Sequence, residues 1–492
     1  MAIIRENAKY IEKVDIIEFL GNPLISALPE LIPEDKIVAV LTKLPANSGK
    51  ERFAESSVRM DLLNRIHTVH VPQIHDQFIA RSISRCIRWG YASRNNIPFS
   101  TTARVLKQHH VEPTQQLENY LTRGIFPVYG FSILGISGVG KTCSVLNALN
   151  CYPQVIYHTE YNDYVFRATQ LVWLKVECPG DGSRKGLCEA ILRQIDAVLG
   201  TSYSNEITSR ISSDTLAAKV STCLNNLFLG VLVIDDIQNL YGASTKNSEL
   251  LSFLVYLMET LSIPVVMVGT PKVLPLFQQE FQMAKRATGE GSVRMGLMQP
   301  NTRIWKRYIE TIWQYQYLRN DVPLTPDLEN VFYEQSVGNP FLCSLLYKLV
   351  QDDAIMSREE SFTVTDVRKV ADEKLGITTK MRTNMLNGTD EELKKYEYLW
   401  SAAQMPIIDE DNTSGDRKKN LSSNKSKEEQ LTDNIVRELV TQFQTDVTEA
   451  CKVAYDSIAA KGIASPEETL GYAITLYKRR QEGEKGKNTP PS

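Results

Sequence analysis

Two stretches of this chain hold residues whose types and spacing promise chemistry: GISGVGKT, from Gly135 to Thr142, and VLVIDDIQNL, with Asp235 and Asp236 adjacent. The first fits the pattern G-x-x-x-x-G-K-[ST]. Its glycines let successive backbone N–H groups turn inward around a phosphate, and the helix that follows offers its positive end to the same anion. Lys141 then reaches the outer phosphates, and the Thr142 hydroxyl is placed to ligate Mg²⁺. The expected cradle for ATP is Gly135, Ser137, Gly138, Val139, Gly140, Lys141, Thr142 and Cys143. In the second stretch an apolar strand ends in two carboxylates. Asp235 is expected to hold Mg²⁺ with Thr142, and Asp236 stands in the place of a carboxylate that activates water. Many ATPases carry Glu there. Asp is shorter by roughly 1.5 Å, and water positioning is sensitive to shifts of that size. Slow hydrolysis is the expectation.

The elements that must position these residues alternate between apolar runs and helical patterns from residue 105 to about 375, which reads as α/β with a parallel sheet. The expected strands are 130–136, 170–178, 230–235 and 264–270. One strand therefore falls between the two motifs. Another ends in Thr270, where a polar side chain can sit between the aspartates and the terminal phosphate as a sensor. An inserted strand with a carboxylate beside the metal-binding aspartate is the layout of the AAA+ and related ATPases. A base-specifying NKxD motif, expected of a Ras-like GTPase, is absent from the sequence.

Helical patterns follow at 248–260, 303–317, 325–339, 340–353 and 365–375, with Thr365 and Asp366 as expected caps of the last. Trp305, Tyr308, Ile309, Ile312 and Trp313 recur at helical spacing and read as a packed apolar face rather than a base-stacking platform. Upstream, Ile74, Phe78, Ile79, Ile83 and Ile87 mark a helix that Gly90 is expected to stop. The domain reading is an N-terminal mixed segment at 1–104, an ATPase core with helical lid at 105–375, and a C-terminal tail at 376–492. The tail holds a linker at about 406–430 and an amphipathic stretch at 431–461.

With 492 residues and a net charge of −3, the chain has no global basic field. Its charged N-terminus and short apolar runs point to neither a signal peptide nor a membrane span, so a cytoplasmic protein is expected. Eight cysteines are scattered without a CxxC pair. His67, His70 and His75 match no zinc spacing.

Several stretches resemble the TniB/TnsC AAA+ ATPases, regulators of heteromeric bacterial transposons. IHDQFIARSISRCIRWGYASRN looks like that family's segment ahead of the ATPase core. LKVECPGDGSRKGLCEAILRQID, VLVIDDIQNL and IWQYQYLRNDVPLTPDL resemble later parts of it. The likeness spans about residues 60 to 375. It implies an AAA+ P-loop fold with parallel central sheet and helical lid, and an ATP-bound homo-oligomer, ring or filament, on duplex DNA. It also implies an assembly that links a target-selection protein to transposase subunits and is dismantled by hydrolysis. In such assemblies a neighbour donates an arginine to the nucleotide. Arg286 is the first candidate, Arg294 the second. Ser183, Arg184 and Lys185, in DGSRKG, would track the DNA backbone without reading bases. No arginine opens the segment SVGNPFLCSLL, where such lids often carry one.

Three other readings compete. A STAND-type signalling switch would assemble without DNA and carry sensor repeats after the lid. A replication loader would carry a winged-helix domain near the C-terminus. A pure binding module would hold ATP without turnover, as Asp236 permits.

Overall fold

The structure is a computed structural model that describes residues 3–11, 16–95, 97–123, 126, 128–208, 210–242, 247–274, 285, 289–379, 382, 435, 453, 457, 469–470 and 472–477. Its strands are β1 (Arg5–Asn7), β2 (Phe131–Gly135), β3 (Val155–Tyr161), β4 (Tyr164–Leu171), β5 (Trp173–Glu177), β6 (Val231–Asp235), β7 (Val265–Gly269) and β8 (Ser292–Met295). The early helices are α1 (Pro23–Ser26), α2 (Glu34–Leu41), α3 (Ser56–Leu62), α4 (Ile74–Ala92), α5 (Phe99–Gln108) and α6 (Gln115–Arg123). Then come α7 (Lys141–Leu149), α8 (Arg184–Leu199), α9 (Ser213–Asn226) and α10 (Asn247–Glu259). These are followed by α11 (Arg303–Trp313), α12 (Pro326–Ser336), α13 (Pro340–Met356) and α14 (Val364–Lys374).

Five strands form one parallel sheet in the order β5-β6-β7-β2-β8. Both faces are covered, which is why the strands read as unbroken apolar runs. The pleat divides them cleanly. Leu174, Val176, Leu232, Ile234, Val265 and Met267 pack with α8, α9 and α10. Val231, Val233, Val266, Val268, Phe131 and Ile133 pack with α4 and α7. β7 sits between β6 and β2, so the strand that leads into Thr270 separates the P-loop strand from the strand of the aspartates.

The expected strand at 170–178 is two strands. The chain leaves a second, small sheet (β1-β3-β4) at Leu171 and enters the main sheet at Trp173. The β3–β4 hairpin turns at Asn162 and Asp163, both at positive φ (47° and 60°), as a two-residue hairpin turn requires. Helix α4 does not stop at Gly90 but runs to Ala92. The glycine instead admits Pro264, whose Cδ would lie 2.9 Å from an added Cβ.

The lid is helical. Trp305, Tyr308, Ile309, Ile312 and Trp313 of α11 are all buried, so they are core and not a stacking surface. The lid core also takes in Leu63, Ile66 and Val71 from the N-terminal segment. Arg59 of α3 is fully buried. It forms a two-pronged pair with Glu360 at 2.6 and 2.7 Å and donates to the Tyr317 carbonyl at 2.9 Å. Such a pair is held only where geometry and extra hydrogen bonds offset desolvation. Thr302, Thr325 and Asn339 cap α11, α12 and α13. α14 is capped by Thr363, not Thr365. Asp366 closes the capping box three residues on, which the residue pair T-x-x-D permits.

The chain divides into two compact units, residues 1–408 and 409–492. In the second, Val453 and Ser457 are helical and one turn apart, with Ser457 Oγ donating to the Val453 carbonyl at 2.6 Å. Residues 472–477 are helical too. The 406–430 stretch lies outside the described residues. No helix among the described residues is long and apolar enough to cross a membrane.

Candidate nucleotide site

Strand β2 delivers Gly135 to a loop that turns through Gly138 and Gly140, at φ of 83° and 98°, and α7 begins at Lys141. Positive φ is open to glycine at little cost, so the backbone curls as the motif demands. Lys141 Nζ donates to the carbonyls of Gly135 and Ile136, each at 2.9 Å. Burial pushes its pKa down, while Asp235 and Asp236 pull it back up. Ser137 and Cys143 are exposed at the loop and at the first turn of α7, and Val139 is buried beneath.

At the end of β6 the two motifs meet. Thr142 Oγ1 donates to Asp235 Oδ2 at 2.9 Å, and Lys175 Nζ from β5 reaches the same oxygen at 2.9 Å. The other oxygen, Asp235 Oδ1, accepts the Asp236 amide at 3.0 Å. Asp235 is 5% exposed, so its charge is matched by this one ammonium and two donors. A hydroxyl and a carboxylate side by side form an all-oxygen donor set. That suits Mg²⁺, which takes one or two protein oxygens and completes its shell with phosphate and water.

Asp236 is exposed and sits at φ 56°, in the left-handed region that Asp tolerates better than most residues. Its Oδ1 accepts Gln238 Nε2 at 2.9 Å, and Gln238 Oε1 accepts the Thr270 amide at 3.0 Å. Thr270 Oγ1 is buried and has no hydrogen-bond partner among the described residues. A buried hydroxyl without a side-chain or backbone partner is available to meet a polar ligand atom.

The lid reaches the loop through the start of α13. Asn339 Nδ2 donates to the Ser137 carbonyl at 3.0 Å, and the Phe341 amide to the Gly138 carbonyl at 3.3 Å. Asn339 Oδ1 meanwhile accepts the Phe341 and Leu342 amides and caps the helix. Beside this contact lies a cleft of about 360 Å³, lined by His70, Val71, Gly138, Cys143 and Phe341. His67 stacks on Phe341 at its rim, with centroids 6.2 Å apart. Its mixed apolar and amide lining, next to the phosphate loop, fits a nucleobase. A larger cleft of about 660 Å³ runs along β5 and α8 and includes none of the phosphate-loop residues.

The other expected site residues are placed differently. Ser183 caps α8, its Oγ accepting the Gly186 amide at 3.0 Å. Arg184 donates to Ser213 Oγ at 2.9 Å and pairs with Asp214 at 2.5 Å and Glu249 at 3.5 Å. Lys185 Nζ donates to the Ile211 carbonyl at 3.1 Å. Arg286 lies outside the described residues. Arg294 is exposed on β8, the sheet edge remote from Lys175. His67 contacts Ser344 Oγ at 3.2 Å and His70 contacts Asp76 at 2.9 Å, so the histidines serve separate contacts.

The sequence reading missed Lys175, Gln238 and Asn339. Alternation along β5 puts Lys175 beside Trp173 on one face, and parallel pairing with β6 was the only available hint.

Residues 130–277 match the AAA domain family. The fold is similar to three solved structures. One is the Aeropyrum pernix ORC1 protein in complex with DNA (12% identity, 73% of this chain, 80% of that one, TM-score 0.37). Another is Drosophila ORC bound to DNA (12% identity, 92% and 88% covered, TM-score 0.36). The third is Cdc6p from Pyrobaculum aerophilum (17% identity, 76% and 86% covered, TM-score 0.35). No curated protein matches the chain. The match over 130–277, the P-loop and the five parallel strands together give the core of this chain the fold of an AAA+ P-loop ATPase.

Proposed function

We propose that this chain is an ATP-hydrolysing regulator of DNA transposition of the TniB/TnsC type. It would assemble on duplex DNA as a homo-oligomer, join a target-selection protein to transposase subunits, and come apart on hydrolysis. The observation that carries the ATPase half is the convergence of Lys141, Thr142, Asp235, Asp236 and Thr270 at the ends of β2, β6 and β7. The transposition half rests on the four sequence stretches and on no contact in the fold.

In this reading the loop amides and the α7 N-terminus hold the β-phosphate, and Lys141 turns from its two carbonyls to the outer phosphates. Thr142 and Asp235 would hold Mg²⁺, whose positive charge would offset that of the phosphates when bound. Asp236 accepts a proton from, or orients, the attacking water. Thr270 offers its unpartnered hydroxyl toward the terminal phosphate. Arg286, or Arg294 at the far sheet edge, would complete the site of a neighbouring subunit. Residues 105–375 would be the motor, with 1–104 and 376–492 serving assembly and partners.

Ser183, Arg184 and Lys185 remain the proposed DNA-contacting residues, with one revision. Arg184 already pairs with Asp214 and Glu249, so DNA would have to share or displace these carboxylates.

The rival reading, a STAND-type switch, draws on the turn Gly338–Pro340, which carries the lid onto the P-loop. Imaging with a slowly hydrolysed ATP analogue, with and without duplex DNA, separates the two. Oligomers that need DNA support the regulator; oligomers that form equally without it support the switch.

A further inference from the structure

Between the carboxylate that activates water and the strand that senses phosphate stands one amide side chain. Gln238 donates to Asp236 Oδ1 at 2.9 Å and accepts from the Thr270 amide at 3.0 Å. Only a side chain with both a donor and an acceptor can serve the two at once. The surroundings are shaped around it. A Cβ added to Gly269 would lie 2.6 Å from Gln238 Oε1 and 2.7 Å from Ile237 Cγ2, so the sensor strand carries glycine where the amide passes. Asp236 is turned toward Gln238 by its left-handed backbone, itself fixed by the Asp236 amide on Asp235 Oδ1.

We infer that Gln238 is a positioning residue for hydrolysis: it fixes the short Asp236 carboxylate in register with the sensor strand. The inference rests on the ATPase reading above. An exposed aspartate one methylene shorter than glutamate has freedom to swing, and its second oxygen is directed only if the first is held. Gln238 holds Oδ1 and leaves Oδ2 for water. Because its other end grips the Thr270 backbone, a shift of the sensor strand on meeting the terminal phosphate is passed to the carboxylate through two hydrogen bonds. Among the described residues, Gln238 is the side chain that hydrogen-bonds the Asp236 carboxylate.

The test is steady-state turnover of the full chain with Mg²⁺-ATP and duplex DNA, alongside equilibrium binding of a fluorescent ATP analogue. The variants are Gln238→Ala, Gln238→Glu, Asp236→Asn and the double variant Gln238→Ala/Asp236→Asn. Gln238→Glu keeps the acceptor for Thr270 and the side-chain size but loses the donor to Asp236, so it serves if the alanine variant folds poorly. A positioning role predicts that kcat falls roughly tenfold in both Gln238 variants, with KM and analogue affinity within about twofold of wild type. It also predicts that Gln238→Ala costs nothing further once Asp236 is Asn, since the two act through one group. Gln238 variants that turn over at the wild-type rate, or a Gln238→Ala loss that persists unchanged in the Asp236→Asn background, overturn the inference and leave the ATPase reading standing. A wild type with no turnover above Asp236→Asn overturns the ATPase reading itself, and this inference with it.

Discussion

Lys175 Nζ and Thr142 Oγ1 meet at a single oxygen, Asp235 Oδ2, each at 2.9 Å. The edge strand and the P-loop helix are thereby tied through the carboxylate proposed to hold the metal. The ammonium lies where a divalent cation beside Asp235 would feel it. Two like charges a few ångströms apart at a partly wetted site repel by about 1 kcal/mol or more. Lys175→Met is therefore expected to lower the half-saturating Mg²⁺ for nucleotide binding by about fivefold. A Mg²⁺ titration of analogue binding reads this directly, and a raised Mg²⁺ requirement would show that Lys175 assists the metal instead.

Asn339 does two things, and substitution separates them. Asn339→Asp keeps the carbonyl oxygen that caps α13 but removes the donor to Ser137. Thermal stability should stay near wild type while nucleotide affinity falls several-fold. Asn339→Ala loses the cap as well, at a cost of about 1 kcal/mol. Equal effects of the two variants on affinity and melting would mean that the lid contact carries no weight in binding.

The pairing of Arg184 with Asp214 makes the DNA proposal sharper. Arg184→Ala should weaken duplex binding to a similar degree on any sequence and reduce the salt slope by about one. Asp214→Asn should strengthen binding modestly, because it removes one of the two carboxylates that compete for the guanidinium, Glu249 remaining. Binding unchanged in both, measured by anisotropy across a salt series, would assign Arg184 to fastening α8 onto α9.

His158 gives a pH dependence. It is 4% exposed, contacts Tyr10 Oη at 2.9 Å and Gln170 at 2.8 Å, and its pKa lies below the ordinary 6.5 because burial disfavours the cation. His75 shifts the same way for the same reason. The folded state therefore binds fewer protons than the unfolded one. The histidine's contribution is intact above pH 6.5 and is lost as pH falls from there through the lower folded value. The melting temperature should drop between pH 7 and pH 5.5, and His158→Gln should flatten part of that slope.

How much of this was legible beforehand depended on whether a residue's job is local. The P-loop, the ends of β6 and β7 and the lid helices announce themselves through spacing, because each is dictated by its own stretch of chain. The β3–β4 hairpin did not, since its strands carry polar residues at Tyr157–Glu160 and Arg167–Gln170, with a register shift between His158 and Glu160. The Asn162–Asp163 turn was the overlooked signal. β8 has four residues, too few to show a period. Lys175 and Asn339 act on partners about 60 and 200 residues away, Asp235 and Ser137, and Gln238 joins its near neighbour Asp236 to Thr270, 32 residues on. Only the strand order and the docking of the lid bring such partners together. Arg184 was legible as a basic residue at a helix start, but its carboxylate partner on α9 was not.

Asp235 and Asp236 are proposed to serve ATP hydrolysis on DNA. The most direct measurement is ATP turnover by the full chain, with and without duplex DNA, beside Asp236→Asn. The account predicts slow turnover that DNA raises, and an Asp236→Asn protein that binds the analogue and assembles yet retains only a small, measurable residue of the wild-type turnover. Turnover indifferent to both DNA and Asp236→Asn would contradict it.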